Sequence, residues 1–181
     1  QNGVSLLRQV SGSVGSWNWM NIYANAEYSF RNKFFVSVNA AIDASSRFGK
    51  QAQSGILISD VPFAVMPSVA TSWLVSSEKF MANSAFSLFR LRASLSKTGN
   101  DDIGNYNSRQ TYSVQNLLGM QGLVRSGVPN TSLQWENVTR LNFGVDMGVL
   151  NDRLQLFADV WKNKTTKMLV YEQLTTATGF T

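Results

Sequence analysis

Few residues in this chain could do chemistry, and their spacing narrows what that chemistry is. Asp101 and Asp102 are adjacent carboxylates, the raw material of a paired-acid hydrolase. Adjacent residues on an extended chain point to opposite faces, and an Asp pair between Gly99-Asn100 and Gly104 has the composition of a solvated turn. Cysteine and histidine are absent, which removes disulfides, thiolate and imidazole nucleophile pairs, and the common zinc sites. Binding chemistry remains. Arg90 and Arg92, two apart, put both guanidinium forks on one side of a strand, where they can hold carboxylates. Glu27, Asp43, Arg140 and Asp146 are further charged candidates on polar strand positions, with Asp43, Glu27 and Asp146 the plainest ion-pair partners for the two arginines. Tyr106 and Tyr112 offer flat rings that could stack on a sugar, and Trp135 could do the same or anchor at a half-wet rim.

The elements that position these residues are read from period-two alternation. Met20, Ile22, Ala24, Ala26 and Tyr28 share one face of a first strand, opposite Asn21, Tyr23, Asn25 and Glu27. A tight turn at 31–33 leads to a second strand, Phe34, Val36, Val38, Ala40 and Ile42 against Phe35, Ser37, Asn39, Ala41 and Asp43. The same pattern predicts strands over about 17–30, 34–43, 63–75, 86–98, 135–150 and 154–163. Long loops are expected at 44–62, 99–134 and 164–181, and short turns at 31–33, 76–85 and 151–152. Pro67 is awkward inside the third strand, because it deletes a ladder hydrogen bond, and a bulge or rim position would accommodate it.

Two regularities give the class. The apolar faces read as free of charge, whereas Glu27, Asp43, Arg90, Arg92, Arg140, Asp146 and Asp159 all lie opposite. A lipid-facing charge at mid-membrane costs about 2–4 kcal/mol for Arg or Lys, and a watery lumen tolerates it. Connections also alternate short and long, as in outer-membrane barrels with brief periplasmic turns and longer extracellular loops. Only 15% of residues are charged, 12% are aromatic, and mean hydropathy is −0.11, a balance suited to two solvents. The expected fold is therefore all-β: six strands of a larger antiparallel, up-and-down transmembrane barrel. Aromatics should form an outer belt (Trp17, Trp19, Phe63, Trp135, Trp161) and an inner one (Tyr28, Phe30, Phe34, Trp73, Phe86).

Other classes fit less well. The longest uncharged run of note, 61–77, contains Pro62 and Pro67 and is no spanning helix. The net charge of +5 is scattered, without the clustered cations and aromatics of a nucleic-acid groove. Gln1-Asn2-Gly3 opens no secretory signal, as expected of a processed or excised segment. A soluble β-sandwich would also alternate, but would concentrate aromatics mid-strand, where this chain has Ala and Val.

Four segments resemble, in order, those of SusC/RagA-type TonB-dependent transporters. Asp43-Ala44-Ser45-Ser46-Arg47-Phe48-Gly49 is similar to their D-x-S-S-R-F-G segment, and Met66-Pro67-Ser68-Val69-Ala70-Thr71-Ser72-Trp73 to their F-P-S-V-A-x-x-W strand, with Met for the aromatic. Leu91-Arg92-Ala93-Ser94, Thr98-Gly99-Asn100 and Ile103-Gly104 follow, then Leu133-Gln134-Trp135-Glu136, Asn142-x-Gly144-x-Asp146 and Asn151-x-Arg153-Leu154. The resemblance covers nearly the whole chain from Trp17 onward. It implies the middle to later part of a barrel of about 22 strands, with the N-terminal plug and TonB box outside this sequence, and an Asp43–Arg47 salt bridge anchoring a loop. It also implies energy-coupled import of oligosaccharides or oligopeptides across the bacterial outer membrane, with a SusD-like surface lipoprotein as lid, the TonB complex as energy source and no cofactor. A passive channel or adhesin-type barrel could use the same strands. A secreted carbohydrate-binding or hydrolytic β-protein is the reading from a different class.

Overall fold

The computed structural model describes residues 14–53 and 55–172. Alternating sequence folds into nine strands: β1 (Trp19–Phe30), β2 (Phe34–Ser45), β3 (Ile56–Ile58), β4 (Val61–Leu74), β5 (Phe86–Asn100), β6 (Tyr112–Leu117), β7 (Met120–Arg125), β8 (Glu136–Val149) and β9 (Leu154–Thr166). Six of them form one antiparallel meander in the order β1-β2-β4-β5-β8-β9, and β3 adds to β4. The six expected strands are thus all present and paired with their sequence neighbours. Several run further than their patterns promised: β2 to Ser45, β5 to Asn100 and β9 to Thr166.

Tight turns require left-handed backbone, and the residues there suit it. Arg31 and Asn32 join β1 to β2, and Leu150, Asn151 and Asp152 join β8 to β9, all at positive φ. Asn and Asp tolerate this conformation because their side chains bond locally. The β4–β5 connector holds two 3-10 turns, Val75–Ser77 and Lys79–Met81. Two short hairpins interrupt the long connections. Ser59-Asp60 turns β3 into β4, and Leu118-Gly119 turns β6 into β7, with positive φ at both central residues in each. Residues 44–62 and 99–134 are therefore not plain loops, as their Gly, Ser and Asn content suggests, but carry ladders of their own. The part of the expected last loop at 173–181 lies outside the described residues.

Register aligns the faces across the whole sheet. Ala26, Val38, Val69, Leu95 and Leu141 lie in one apolar row, and Glu27, Ser37, Ala70, Ser94, Asn142 and Trp161 in one polar row. Among the described residues no second layer covers the apolar row: Val38, Val69, Leu95 and Leu141 are all exposed. A soluble sandwich would bury that face, and a contiguous apolar surface of this extent marks contact with an apolar partner or solvent. The expectation that the apolar face carries no charge needs correction. Lys97 and Lys162, within the expected strand bounds, and Lys164, on the added length of β9, have the parity of the apolar residues and fall on that face, in two adjacent rows at the long-loop end.

Pro67 sits in neither a bulge nor a rim. It pairs with Ala40 in an unbroken β2–β4 register, while the β4–β5 ladder stops one residue away at Ser68–Ser96. Lacking an N–H, it cannot extend that ladder. Beyond it, towards the long loops, β4 and β5 are no longer paired by backbone hydrogen bonds, and the Met66 side chain of β4 lies against Gly99 of β5. The main buried cluster lies at that end: Phe48, Ala64, Ile103 and Trp135, flanked by Met66, Leu133 and Leu169.

Candidate functional site

The polar face has three tiers. In the middle tier, Ser72, Arg92, Gly144 and Asp159 lie in one row across β4, β5, β8 and β9. The Arg92 guanidinium donates to Asp146 from Nε (3.0 Å) and from a terminal nitrogen (2.7 Å), a bidentate fork, and reaches Asp159 at 3.3 Å. Asp146 is buried and Asp159 about a third exposed, so the cation is clamped on one side and wet on the other. Gly144 leaves room for this crossing. A Cβ there would stand 2.5 Å from the Asp159 carboxylate and 2.7 Å from the guanidinium carbon of Arg92, so any side chain would push these two charged ends out of their present positions.

Arg90 lies on the same face, in register with Asp146. Its neighbour has taken that carboxylate, and the Arg90 Nε is buried without a hydrogen-bond partner. The two arginines thus do share a face, as their spacing requires, but only Arg92 is paired. Glu27 makes no ion pair among the described residues. It lines, with Phe35, Ser37, Ser72, Arg92 and Ser94, a hollow of about 460 Å3 on the polar face. Towards the long loops Arg140 donates to Asn163 (3.1 Å) across β8–β9, and Asp43 accepts from Asn21 across β1–β2.

The third tier is the loop end. Arg47 does not bridge to Asp43. Its Nε donates to Asn105 at 3.0 Å and a terminal nitrogen to the Asp101 carbonyl at 3.1 Å, with the Asp101 carboxylate 3.8 Å away. Its guanidinium lies 4.2 Å from the Trp17 ring centroid. The reason is position: Arg47 lies just past the end of β2 and is offered to the 101–105 turn, while Asp43 is inside the strand facing Asn21. Asp101 is therefore a structural counter-ion, and Asp102 lies in a turn capped by Asn100, whose Oδ1 accepts from the Asp102 N–H at 3.1 Å.

The aromatic candidates divide. Trp135 is only 3% exposed and packs on Phe48 at 4.6 Å between centroids, so its ring faces neither a rim nor a cargo. Tyr106 is partly exposed and its oxygen accepts from the Ser16 N–H at 3.0 Å; that bond holds the phenol below its usual pKa. Tyr112 opens β6, exposed and opposite Arg125. The inner belt forms as expected, with Phe34 stacked on Trp73 at 5.5 Å and Phe86 against Phe89 at 5.4 Å. The outer belt does not: Phe63 and Trp135 are buried, and Trp19 and Trp161 project from the polar face. Sequence reasoning also passed over Asp159 as a partner for Arg92, and Gly144 as the gap between them. The shared row of the three residues was the available signal.

Residues 2–181 match the family model described as TonB dependent receptor-like, beta-barrel. TonB-dependent receptor P39 of Formosa agariphila is 28% identical over 162 residues, covering 88% of this chain and 15% of that protein. TonB-dependent receptor SusC of Bacteroides thetaiotaomicron is 26% identical over 170 residues, 89% of this chain and 16% of that protein. Among solved structures, a chain of the RagAB peptide transporter superposes with a TM-score of 0.78 at 29% identity, covering 91% of this chain and 17% of that one. The RagAB importer in its open-open state gives 0.77 at 26% identity, over 99% of this chain and 20% of that one. The chain thus spans about a sixth of the length of the relatives it matches.

Proposed function

The chain belongs to the TonB-dependent receptor-like β-barrel family, and from that premise we propose that it forms part of the wall of an outer-membrane transporter importing oligopeptides or oligosaccharides by TonB-coupled transport. In this reading the apolar face meets lipid and the polar face lines the lumen. The short turns face the periplasm and the long, hairpin-bearing connections the exterior. The observation that carries it is the predominantly polar face across six strands, with the Arg92–Asp146–Asp159 group at mid-wall, behind an apolar face whose central row, Val38, Val69, Leu95 and Leu141, is exposed. A wall of this kind makes and breaks no bond. It supports a plug, offers hydrogen-bonding groups to passing cargo, and presents loops to a lid lipoprotein of the SusD type.

Cargo class follows from the neighbours only as far as their names go: one is a peptide transporter, another is SusC. Arg90, with its unpartnered Nε, and Glu27, free of ion pairs among the described residues, are the charges best placed to meet a plug or a zwitterionic cargo. The deciding experiment uses the full-length gene in its host. Deleting it should abolish uptake of a labelled oligopeptide or oligosaccharide, and so should inactivating TonB. Uptake that persists without TonB would make the barrel a passive channel.

A further inference from the structure

On the apolar faces of the six wall strands only three residues are charged, and all three are lysines in one patch. Lys97 of β5 and Lys164 of β9 both stand in register with Thr139 of β8, and Lys162 lies one row below, beside Leu141. Neighbouring strands are about 4.8 Å apart and residues two apart on a strand about 6.8 Å, so the three ammonium groups share a footprint of roughly 10 Å. None makes an ion pair or side-chain hydrogen bond among the described residues. The opposite end of the same face holds Tyr28, Phe30, Phe34, Trp73 and Phe86 and no charged strand residue, the nearest cation being Arg31 of the adjoining turn, 5.0 Å from the Phe30 ring centroid.

The height of the patch is informative. The apolar run of β8 from Val149 to Leu141 spans eight residues of rise, roughly 27 Å along the strand and about 21 Å along the normal at a 40° tilt. A barrel's lipid-facing apolar band is about 25 Å tall. Lys162, in the row of Leu141, therefore lies just inside the upper edge of that band, and Lys97 and Lys164, one row further, lie at the edge, on the long-loop side. Long stems can lie on the apolar surface with their heads at the interface. Three like charges so close together repel unless an anion lies among them.

We propose that Lys97, Lys162 and Lys164 bind the phosphorylated headgroup of an outer-leaflet lipid, whose acyl chains lie on Leu95, Leu141, Phe143 and Val160 below. This rests on the lipid-face reading given above. The ligand is a lipid and not a free phosphate, because the site opens sideways onto the apolar band instead of into the polar hollow. Bound there, the lipid would hold the β5–β8–β9 portion of the rim at a fixed depth beneath the long connection between β5 and β8.

The test uses the full-length transporter in phosphatidylcholine nanodiscs with or without lipid A, reading bound lipid A by native mass spectrometry. At about 1 kcal/mol per cation near an anionic surface, the triple variant K97Q/K162Q/K164Q should bind lipid A roughly 100-fold more weakly. The charge-keeping variant K97R/K162R/K164R should retain binding, and R31Q/R153Q, at the other end, should leave it unchanged. Unchanged affinity in the glutamine variant would overturn the proposal, as would equal displacement of lipid A by monophosphate in solution. If the triple variant does not assemble, each single glutamine variant should still weaken binding several-fold, and no change in any of the three would overturn it equally. Labelling of a cysteine placed at Val38 by a lipid-soluble maleimide tests the lipid-face reading separately, so that the two failures are distinguishable.

Discussion

The two ends of this wall are held by different physics. At the long-loop end a dry cluster of Phe48, Ala64, Ile103 and Trp135 joins segments far apart in the chain, and Arg47 ties the end of β2 to the 101–105 turn. Gly49 and Gln51 donate their backbone N–H groups to Leu133 and Thr131, so two connections are stitched together without side chains. At the short-turn end, among the described residues, Val75 alone is a buried apolar side chain. Exposed rings stack on one another, and Lys33 reaches Glu78 at 2.9 Å. One end is built like a small globular core, the other like a surface that leaves its apolar contacts to the surrounding lipid. A membrane wall needs a protein-made core only where its chain leaves the membrane.

Perturbations should separate the ends by size. Trp135→Ala should cost the most, about 3–5 kcal/mol, the range for truncating a buried aromatic. Its effect should be local: hydrogen exchange should accelerate in the connections around Phe48 and Ile103 and leave β1–β2 pairing unchanged. Acceleration throughout the sheet would erase the distinction between a globular end and a membrane end. In the wall between them, Val145→Arg should destabilise membrane-inserted protein by about 2–4 kcal/mol and Asn142→Arg by far less, measured as folded fraction in urea. Equal costs would remove the assignment of faces. Gly144→Ala should cost about 1–3 kcal/mol as an overpacking change, because the new methyl displaces the Arg92 guanidinium from Asp159, and Asp159→Asn should then add little.

The short-turn end should respond least. Trp73→Ala should lose about 0.5–1.5 kcal/mol of stacking beyond the area removed, read in lipid and in detergent. A loss as large as that of Trp135→Ala would show that both ends hold cores. The mildest effect is one of pH. The Lys33 ammonium, hydrogen-bonded to Glu78, holds that carboxyl below its ordinary value, with Trp73 assisting. A lowered folded pKa means that the contribution is present above the unfolded value and is lost as pH falls through the folded one. Exchange in the 75–85 connector should therefore quicken in acid, and Lys33→Met should remove that dependence.

The same contrast explains what was legible in the sequence. The short-turn end is easier to read: its tight turns and the Phe86–Phe89 contact join residues a few positions apart, the β1–β2 register grows outward from its turn, and pairing of β2 with its sequence neighbour β4 then sets Phe34 against Trp73. The polar row likewise follows once the strands pair with their sequence neighbours. At the loop end the partners of Arg47 lie more than fifty residues away, and no pattern along the chain announces them. Trp135 reads as a rim residue because it ends a strand, and its burial depends on Phe48 and Ile103 arriving from two other segments. Lys97 and Lys162 lie inside the expected strands but past their last apolar residues, so the face reads as ending at Leu95 and Val160 and is not continued to the strand end. Only Lys164 lies on an extension that pairing with β8 adds. Asn, Gly and Ser hid β6 and β7 for a different reason, since such composition argues against a strand that backbone pairing nonetheless forms.

The position of Pro67 bears on how motion passes through this wall. A continuous ladder behaves as a plate, in which a displacement at one edge bends everything it is bonded to. With the β4–β5 ladder ending at Ser68–Ser96, the plate carries a slit at its loop edge. A displacement of the connection between β5 and β8 then reaches β4 there through the side-chain contacts of the buried cluster and not through backbone hydrogen bonds.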